Sequence, residues 1–192
     1  MNEITPITVE DFTIDHGYSN SMINLEHLFA LEQISRKNLR EVGGTLGLTF
    51  FDMLKVLQKH NINFGDICIY VVGKFFTRDL LEGVEEDEKE YEGEEYIVFE
   101  VEEIYGYCLC YRYDNDKVQI AHLCIDPRLQ RKGFGQMLLE KASCNGRKTV
   151  TADVYYDNKQ SANFFKKNGF NFIENEEKKR WRVIRKIVTE KI

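Results

Sequence analysis

Apolar residues recur at helical spacing near the N-terminus and again late in the chain, and at strand spacing between. Ile23, Leu25, Leu28, Phe29 and Ile34 mark one amphipathic helix, capped by Ser21 and stopped by Gly43-Gly44. Thr49 with Asp52 three residues on resembles a capping box, after which Met53, Leu54, Val56 and Leu57 face a core up to Lys59. Ile67 to Val72 is short, apolar and β-branched. Tyr96 to Val101 and Ile104 to Tyr113 predict two strands of a meander, and Val118 to Ile125 predicts a further one, ended by Asp126-Pro127. The pattern then alternates. A helix is predicted from Phe134 to Cys144, a strand from Thr149 to Tyr155 and a helix from about Ser161 to Asn168, followed by strands at Phe170–Glu174 and Trp181–Val188. There is no internal repeat and no glycine-rich or proline-rich linker, so the whole chain, 1–192, is expected to form one mixed α/β domain.

A length of 192 residues with 43% hydrophobic and 12% aromatic content is enough for a buried core and excludes intrinsic disorder. No window approaches the about 20 apolar residues of a membrane span. The opening MNEITPITVEDF has neither a basic start nor an apolar stretch, so a cytoplasmic location is expected. The five cysteines are odd in number and mostly sit in apolar runs, as reduced core cysteines do, and nothing supplies a second ligand pair at zinc spacing.

The net charge of −6 is unevenly spread. Glu85 to Glu95 holds eight acidic residues and one lysine, whereas Tyr96 to Ile192 has 18 basic and 13 acidic residues, a surplus of +5. Within that basic half a strand, Val118 to Ile125, runs into Asp126-Pro127-Arg128-Leu129-Gln130-Arg131-Lys132-Gly133-Phe134-Gly135, and a helix opens at once. The first turn of a helix presents unpaired N–H groups and the positive end of its dipole, which favours phosphate. Gly133 and Gly135 let a pyrophosphate approach the backbone, and Arg131 and Lys132 add positive charge. The spacing is neither a dinucleotide fingerprint, where Leu138 replaces the third glycine, nor a Walker loop, because Phe134 follows Gly133 and Gln136 follows Gly135. Gly44-Thr45-Leu46-Gly47 also lacks the Lys-Ser/Thr of such a loop and predicts a turn between the leading helices.

Together with Asn158-Lys159-Gln160-Ser161-Ala162-Asn163-Phe164-Phe165-Lys166-Lys167-Asn168-Gly169-Phe170, this loop resembles the GNAT superfamily of acyl-CoA N-acyltransferases. Gln130 to Gly135 matches the family's Q/R-x-x-G-x-G/A loop, and the second stretch matches its Asn to Gly-Phe helix. The resemblance covers Tyr96 to the C-terminus and the leading helices. It leaves residues 61–95, with their acidic run, as an insertion longer than the family needs. It implies a mostly antiparallel central sheet splayed between its fourth and fifth core strands, with helices on both faces. It also implies binding of acetyl-CoA in that splay, without a metal. The pantetheine arm would pair with backbone at Leu123, Cys124 and Ile125, the pyrophosphate would take N–H groups from Arg131, Lys132, Gly133, Phe134, Gly135 and Gln136, and Gln130 at the head of the motif would also be a cofactor-binding position. Asn158 and Phe165 would contact the cofactor. Leu123 and Ile125 also read as core residues, and Asn158 also reads as a helix cap.

The implied reaction is direct transfer of acetyl to a primary amine, with no acyl-enzyme through Cys124 or Cys144. Thr151, Asp153 and Tyr155 alternate with Val150, Ala152 and Val154, so one face of that strand is polar. Asp153 lies five residues before Asn158, where relatives similar to ribosomal-protein alanine N-acetyltransferases carry a glutamate base; it is the candidate base here. Gln119 replaces a glutamate base of histone-acetyltransferase relatives. Strand parity sets His122 opposite Gln119, Ala121 and Leu123, as a structural histidine. Many relatives carry a tyrosine acid where this chain has Phe165, so either Tyr155, Tyr156 or water is the proton donor or the thiolate leaves unprotonated. A catalytically weak acyl-CoA-binding module is the alternative. The basic run Lys178 to Lys186 around Trp181 reads as a hairpin and an edge strand rather than a nucleic-acid surface. The acceptor is unspecified, with a cationic amine suited to the acidic run. No membrane partner is expected, and oligomeric state, a dimer included, stays open.

Overall fold

The computed structural model describes residues 8–13, 25–60, 62, 66–79, 97–114, 116–143 and 148–187. The acidic run at 85–95, Ser21 and Cys144 lie outside them. The elements are β1 (Thr8–Thr13), α1 (Leu25–Glu41), α2 (Phe50–Lys59), β2 (Ile67–Asp79), β3 (Ile97–Asp114), β4 (Lys117–Ile125), α3 (Phe134–Ser143), β5 (Thr149–Tyr155), α4 (Lys159–Lys167), β6 (Asn171–Asn175) and β7 (Arg180–Lys186). One seven-stranded sheet has the order β1-β2-β3-β4-β5-β7-β6. Every pairing is antiparallel except β4 with β5.

Both faces of the sheet are covered, which explains why Ile67 to Val72 is a continuous apolar run rather than an alternating one. Ile67, Ile69 and Val71 pack with Leu28 and Leu31 of α1 and Phe50 and Leu57 of α2. Cys68, Tyr70 and Val72 pack on the other face with Leu138, Leu139 and Ala142 of α3 and Phe165 of α4. The predicted helix signals act as expected at the described ends. Thr49 caps α2 by accepting the Asp52 N–H at 3.1 Å and returns its hydroxyl to the Asp52 carboxylate at 2.7 Å. Gly43, at φ 76°, ends α1 in the left-handed region that favours glycine. α4 begins two residues earlier than expected, because Asn158 caps it through the Ser161 N–H at 3.0 Å.

The sheet departs from expectation in four places. β1, which the pattern did not mark, adds an edge strand to β2. The two strands expected between Tyr96 and Tyr113 are one strand, β3. Its register to β2 shifts twice, from Gly106 opposite Val72 to Ile104 opposite Gly73, and from Glu103 opposite Lys74 to Val101 opposite Phe75. Such bulges bend a strand without ending it. Gly73 is required at the first of them, since a Cβ there would lie 2.2 Å from the Glu103 carbonyl oxygen. β7 is interior and β6 is the edge, so the basic run does not line an open strand. The fourth departure lies in β4. Cys110 faces Ile120 and Leu109 faces His122, which leaves Ala121 as an extra residue. That bulge resets the side-chain alternation. Ile120 and Leu123 belong to the α3/α4 face, whereas Ala121 and Cys124 belong to the α1/α2 face, where His122 bonds Tyr107. The strict parity that set His122 opposite Gln119 and Ala121 is therefore wrong.

Leu139, wholly buried between α3 and the sheet, is expected to cost about 2–5 kcal/mol when changed to alanine. Ile173 on β6, 53% exposed, should cost under about 0.5 kcal/mol in the same urea titration.

Candidate active site

β4 and β5 pair only from Lys117 with Thr149 to Ile120 with Ala152. Pairing stops where the Ala121 bulge begins, and the remainders of the two strands, residues 121–125 and 153–155, diverge. Two strand edges thus face each other inside the protein without bonding, and a slot lined by Ala121, Leu123, Ile125, Asp153, Val154 and Tyr155 opens between them. Unpaired edges present N–H and C=O groups to an extended ligand that carries amides of its own. Leu123 and Ile125 also pack in the core toward α3 and α4, so both of their sequence-based roles hold together.

At the C-terminal end of β4 the chain turns into the glycine loop. Asp126, 3% exposed, caps a short 3₁₀ turn at Pro127–Leu129 and accepts three bonds from the Arg128 side chain, at 2.5 to 3.1 Å. Arg128 holds the Asp126 carboxyl below the usual carboxylate range. Arg131 then takes φ 63° and Gly133 φ 94°, both left-handed, and the chain enters α3. The Gln136 and Met137 N–H groups are used by the Gly133 carbonyl, at 2.9 and 3.1 Å. Arg131, Gly133, Phe134, Gly135 and Gln136 line the cleft, whereas Lys132 points to solvent outside the lining. Gly135 has a second reason to be glycine: a Cβ there would stand 3.2 Å from the Phe164 ring of α4. Its missing side chain brings α3 and α4 together, beyond any closeness to phosphate.

Gln130 closes the slot from below, donating to the Ile125 carbonyl at 3.4 Å and accepting from Gln160 of α4. Asn158 lines the cleft while capping α4. Phe165 borders the cleft and packs edge-on against Phe164 and Phe170. Tyr156 packs on Trp181 at 4.8 Å and is absent from the cleft lining, so it cannot replace the missing tyrosine acid. Tyr155 does line the cleft.

The floor on the α1/α2 face is polar and bonded within itself. Gln119 accepts the Thr151 hydroxyl at 2.6 Å. Asp153 receives Arg182 Nε at 2.6 Å and lies 3.7 Å from Arg180. Tyr111, opposite Gln119 on β3, borders the same floor, and burial and the Asp153 charge raise its phenol. Glu32, 1% exposed on the apolar face of α1, accepts the Phe50 N–H with both oxygens at 3.0 and 3.1 Å and pairs with Arg36 at 3.6 Å. Glu32, Tyr111 and Asp157 went unmarked in the sequence. Only Glu32 carried a signal, a charged residue one position after Leu31 on an otherwise apolar stripe.

Both nitrogens of His122 are engaged. Nε2 lies 2.7 Å from the Leu48 carbonyl, which only accepts, so Nε2 carries the proton. Nδ1 then accepts from the Tyr107 hydroxyl at 3.2 Å. Burial lowers the imidazole, against a smaller upward pull from Leu48, and burial holds the Tyr107 phenol protonated. Burial also pushes the Cys124 thiol up to about 12, which removes it as a nucleophile. Among the described residues no group of His, Cys, Asp and Glu is arranged to hold a metal, and no helix is long and apolar enough to cross a membrane.

Comparison with known proteins agrees with this geometry. The model of the acetyltransferase (GNAT) family matches residues 68–170. No curated protein sequence matches. Among solved structures, an acetyltransferase from Thermus thermophilus is 16% identical with a TM-score of 0.59, covering 97% of this chain and 100% of its own. The PaiA N-acetyltransferase of Thermoplasma acidophilum, solved with coenzyme A, is 14% identical with a TM-score of 0.57, covering 94% and 99%. Ard1 from Thermoplasma volcanium is 16% identical with a TM-score of 0.54, covering 95% and 99%. At these identities the likeness shows the fold.

Two outcomes follow from the buried groups. A maleimide should label Cys124 of the folded protein far more slowly than a free cysteine, and Cys124→Ala should keep its ligand affinity. For His122 the folded value lies below the ordinary 6.5, so its stabilising contribution is complete above pH 6.5 and is lost as pH falls through the folded value. His122→Asn should flatten the fall in Tm between pH 7.5 and pH 5.

Proposed function

The chain belongs to the GNAT acetyltransferase family, and from that premise we propose that it moves an acetyl group from acetyl-CoA directly to a primary amine. The observation that carries this reading is the splay of β4 from β5 beside a left-handed glycine loop that opens α3. The slot offers its strand edge at Leu123, Cys124 and Ile125 to the pantetheine amides, with the Ile125 carbonyl already accepting from Ser35 and Gln130. The loop from Gln130 to Gln136 offers the start of a helix and Arg131 to the pyrophosphate. Bound acetyl-CoA supplies the thioester; this chain supplies orientation and proton handling.

The amine must lose a proton before it attacks. Asp153 is the proposed acceptor. It lines the cleft on the floor side and is held by Arg182 and Arg180, so its position is fixed while its remaining face meets the slot. Gln119 cannot accept a proton, and His122 has no free lone pair while Leu48 and Tyr107 hold it. Tyr155 is the proposed donor to the leaving thiolate in place of the phenyl ring at Phe165. The same observations favour a second reading, an acyl-CoA-binding module with weak catalysis, because Phe165 cannot donate and Asp153 is already paired.

Purified protein with labelled acetyl-CoA and a panel of a polyamine, a lysine peptide and a peptide with a free N-terminus distinguishes the two. Transfer to at least one amine is expected; tight binding with transfer to none supports the second reading. Asp153→Asn should lower kcat at least tenfold with the acetyl-CoA Kd within about twofold of wild type. Gly133→Val, which forces a β-branched residue into φ 94°, should raise that Kd about tenfold while kcat at saturation changes little.

A further inference from the structure

The connection between α1 and α2, residues 42–49, spans the acceptor end of the cleft and is fastened at both sides. On its own side Arg36 Nη1 donates to the Gly47 carbonyl at 2.9 Å, and His122 donates to the Leu48 carbonyl at 2.7 Å. On the far side, 112 residues along the chain, one oxygen of Asp157 accepts both the Thr45 N–H, at 3.0 Å, and the Thr45 hydroxyl. Asp157 stands two residues past the end of β5, on the turn into α4, so these bonds cross from one wall of the slot to the other. Between the two fastenings the strap lies over Tyr155: a Cβ on Gly47 would be 3.6 Å from that ring. Asp157, Thr45, Leu46, Gly47 and Leu48 all line the cleft.

The two fastenings differ in kind. The Arg36 bond to the Gly47 carbonyl is partly buried, whereas Thr45 and Asp157 are both exposed, so water competes directly for the far bonds. Gly43 at the α1 end gives the backbone a pivot when the far bonds break, since it is already at φ 76° with open space around it, whereas Gly44 stays packed on Leu39. The strap therefore has a firmer end at Gly47 and a releasable end at Thr45.

We propose that Asp157 is a specificity-determining latch, holding Thr45 so that the strap closes the acceptor end of the slot and limits the width of amine that reaches the thioester. This deepens the acetyltransferase reading and rests on it for the identity of the slot. The Thr45 hydroxyl bond also draws the Asp157 carboxyl below its ordinary range, as expected of a carboxylate that accepts donated bonds. A charge-assisted pair of this type shifts the closed-to-open ratio by about tenfold.

The test uses the full chain loaded with acetyl-CoA. In Asp157→Ala, amide hydrogen exchange over residues 42–49 should quicken about tenfold, with the acetyl-CoA Kd unchanged. Thr45→Val keeps the backbone bond and Asp157→Asn keeps an acceptor, so both should fall between. The ratio of kcat/KM for a wide amine, such as a lysine peptide, to that for methylamine should rise about tenfold in Asp157→Ala. Unchanged exchange overturns the latch, and faster exchange with an unchanged ratio overturns its role in specificity. If wild type acetylates no amine, the acetyltransferase reading is what fails. The latch is then judged by exchange and by how fast added hydroxylamine cleaves bound acetyl-CoA, and equal cleavage in wild type and Asp157→Ala sinks it.

Discussion

One inserted residue governs this structure. The bulge at Ala121 bends β4 away from β5 just past the Ile120 and Ala152 pair, and the cleft opens in the gap that results. Two strand edges inside a domain would ordinarily bond to each other or to water. Here the divergence keeps them apart, and the same bulge rotates His122 onto the face where α1, α2 and their connection lie. A straight β4 would close the slot and remove the imidazole from the strap.

The slot stays open because both of its walls are braced elsewhere. β5 is held along its far edge by β7, from Thr149 with Lys186 to Tyr155 with Arg180. The end of β4 is held by β3, by Ser35 of α1 donating to the Ile125 carbonyl at 3.1 Å, and by Gln130 on the same oxygen. Glu32 performs the matching service for α2. Its buried carboxylate accepts an N–H at the positive end of that helix, and Arg36 balances the charge while also binding the strap. The polar groups inside the domain are thus the joints between elements rather than isolated defects in the core.

Among the described residues, charge is handled by pairing on the floor and left unpaired at Arg131 near the mouth. Arg180 and Arg182 meet Asp153, and Arg185 lies over the Phe170 ring at 5.1 Å while donating to the Asn168 carbonyl and the Ser143 hydroxyl. The three arginines of the basic run, Arg180, Arg182 and Arg185, are therefore consumed in packing β7. Arg131 remains at the glycine loop, where an anionic group is the natural partner.

Local chemistry was legible from the chain. Thr49, Asn158 and Gly43 mark helix ends because caps act within four residues. The alternation in β5 shows which side chains share a face because a strand repeats every two residues. The Gln130 to Gly135 loop and the helix after Asn158 pointed to the family because their backbone roles depend on nearby residue types. Continuity of β3 was not legible, since its bulges answer to Gly73 on another strand. His122 was misplaced because periodicity assumes no inserted residue, and a bulge is decided by the partner strand. The strap was invisible because Thr45 meets Asp157 across 112 residues. Sequence alone determined the helix caps, the alternation of β5 and the glycine loop, whose causes lie within a few residues. Tertiary structure alone decided the bulge that opens the slot, the tautomer of His122 and the bonds that hold the strap, because each depends on groups that only the folded sheet brings within bonding distance.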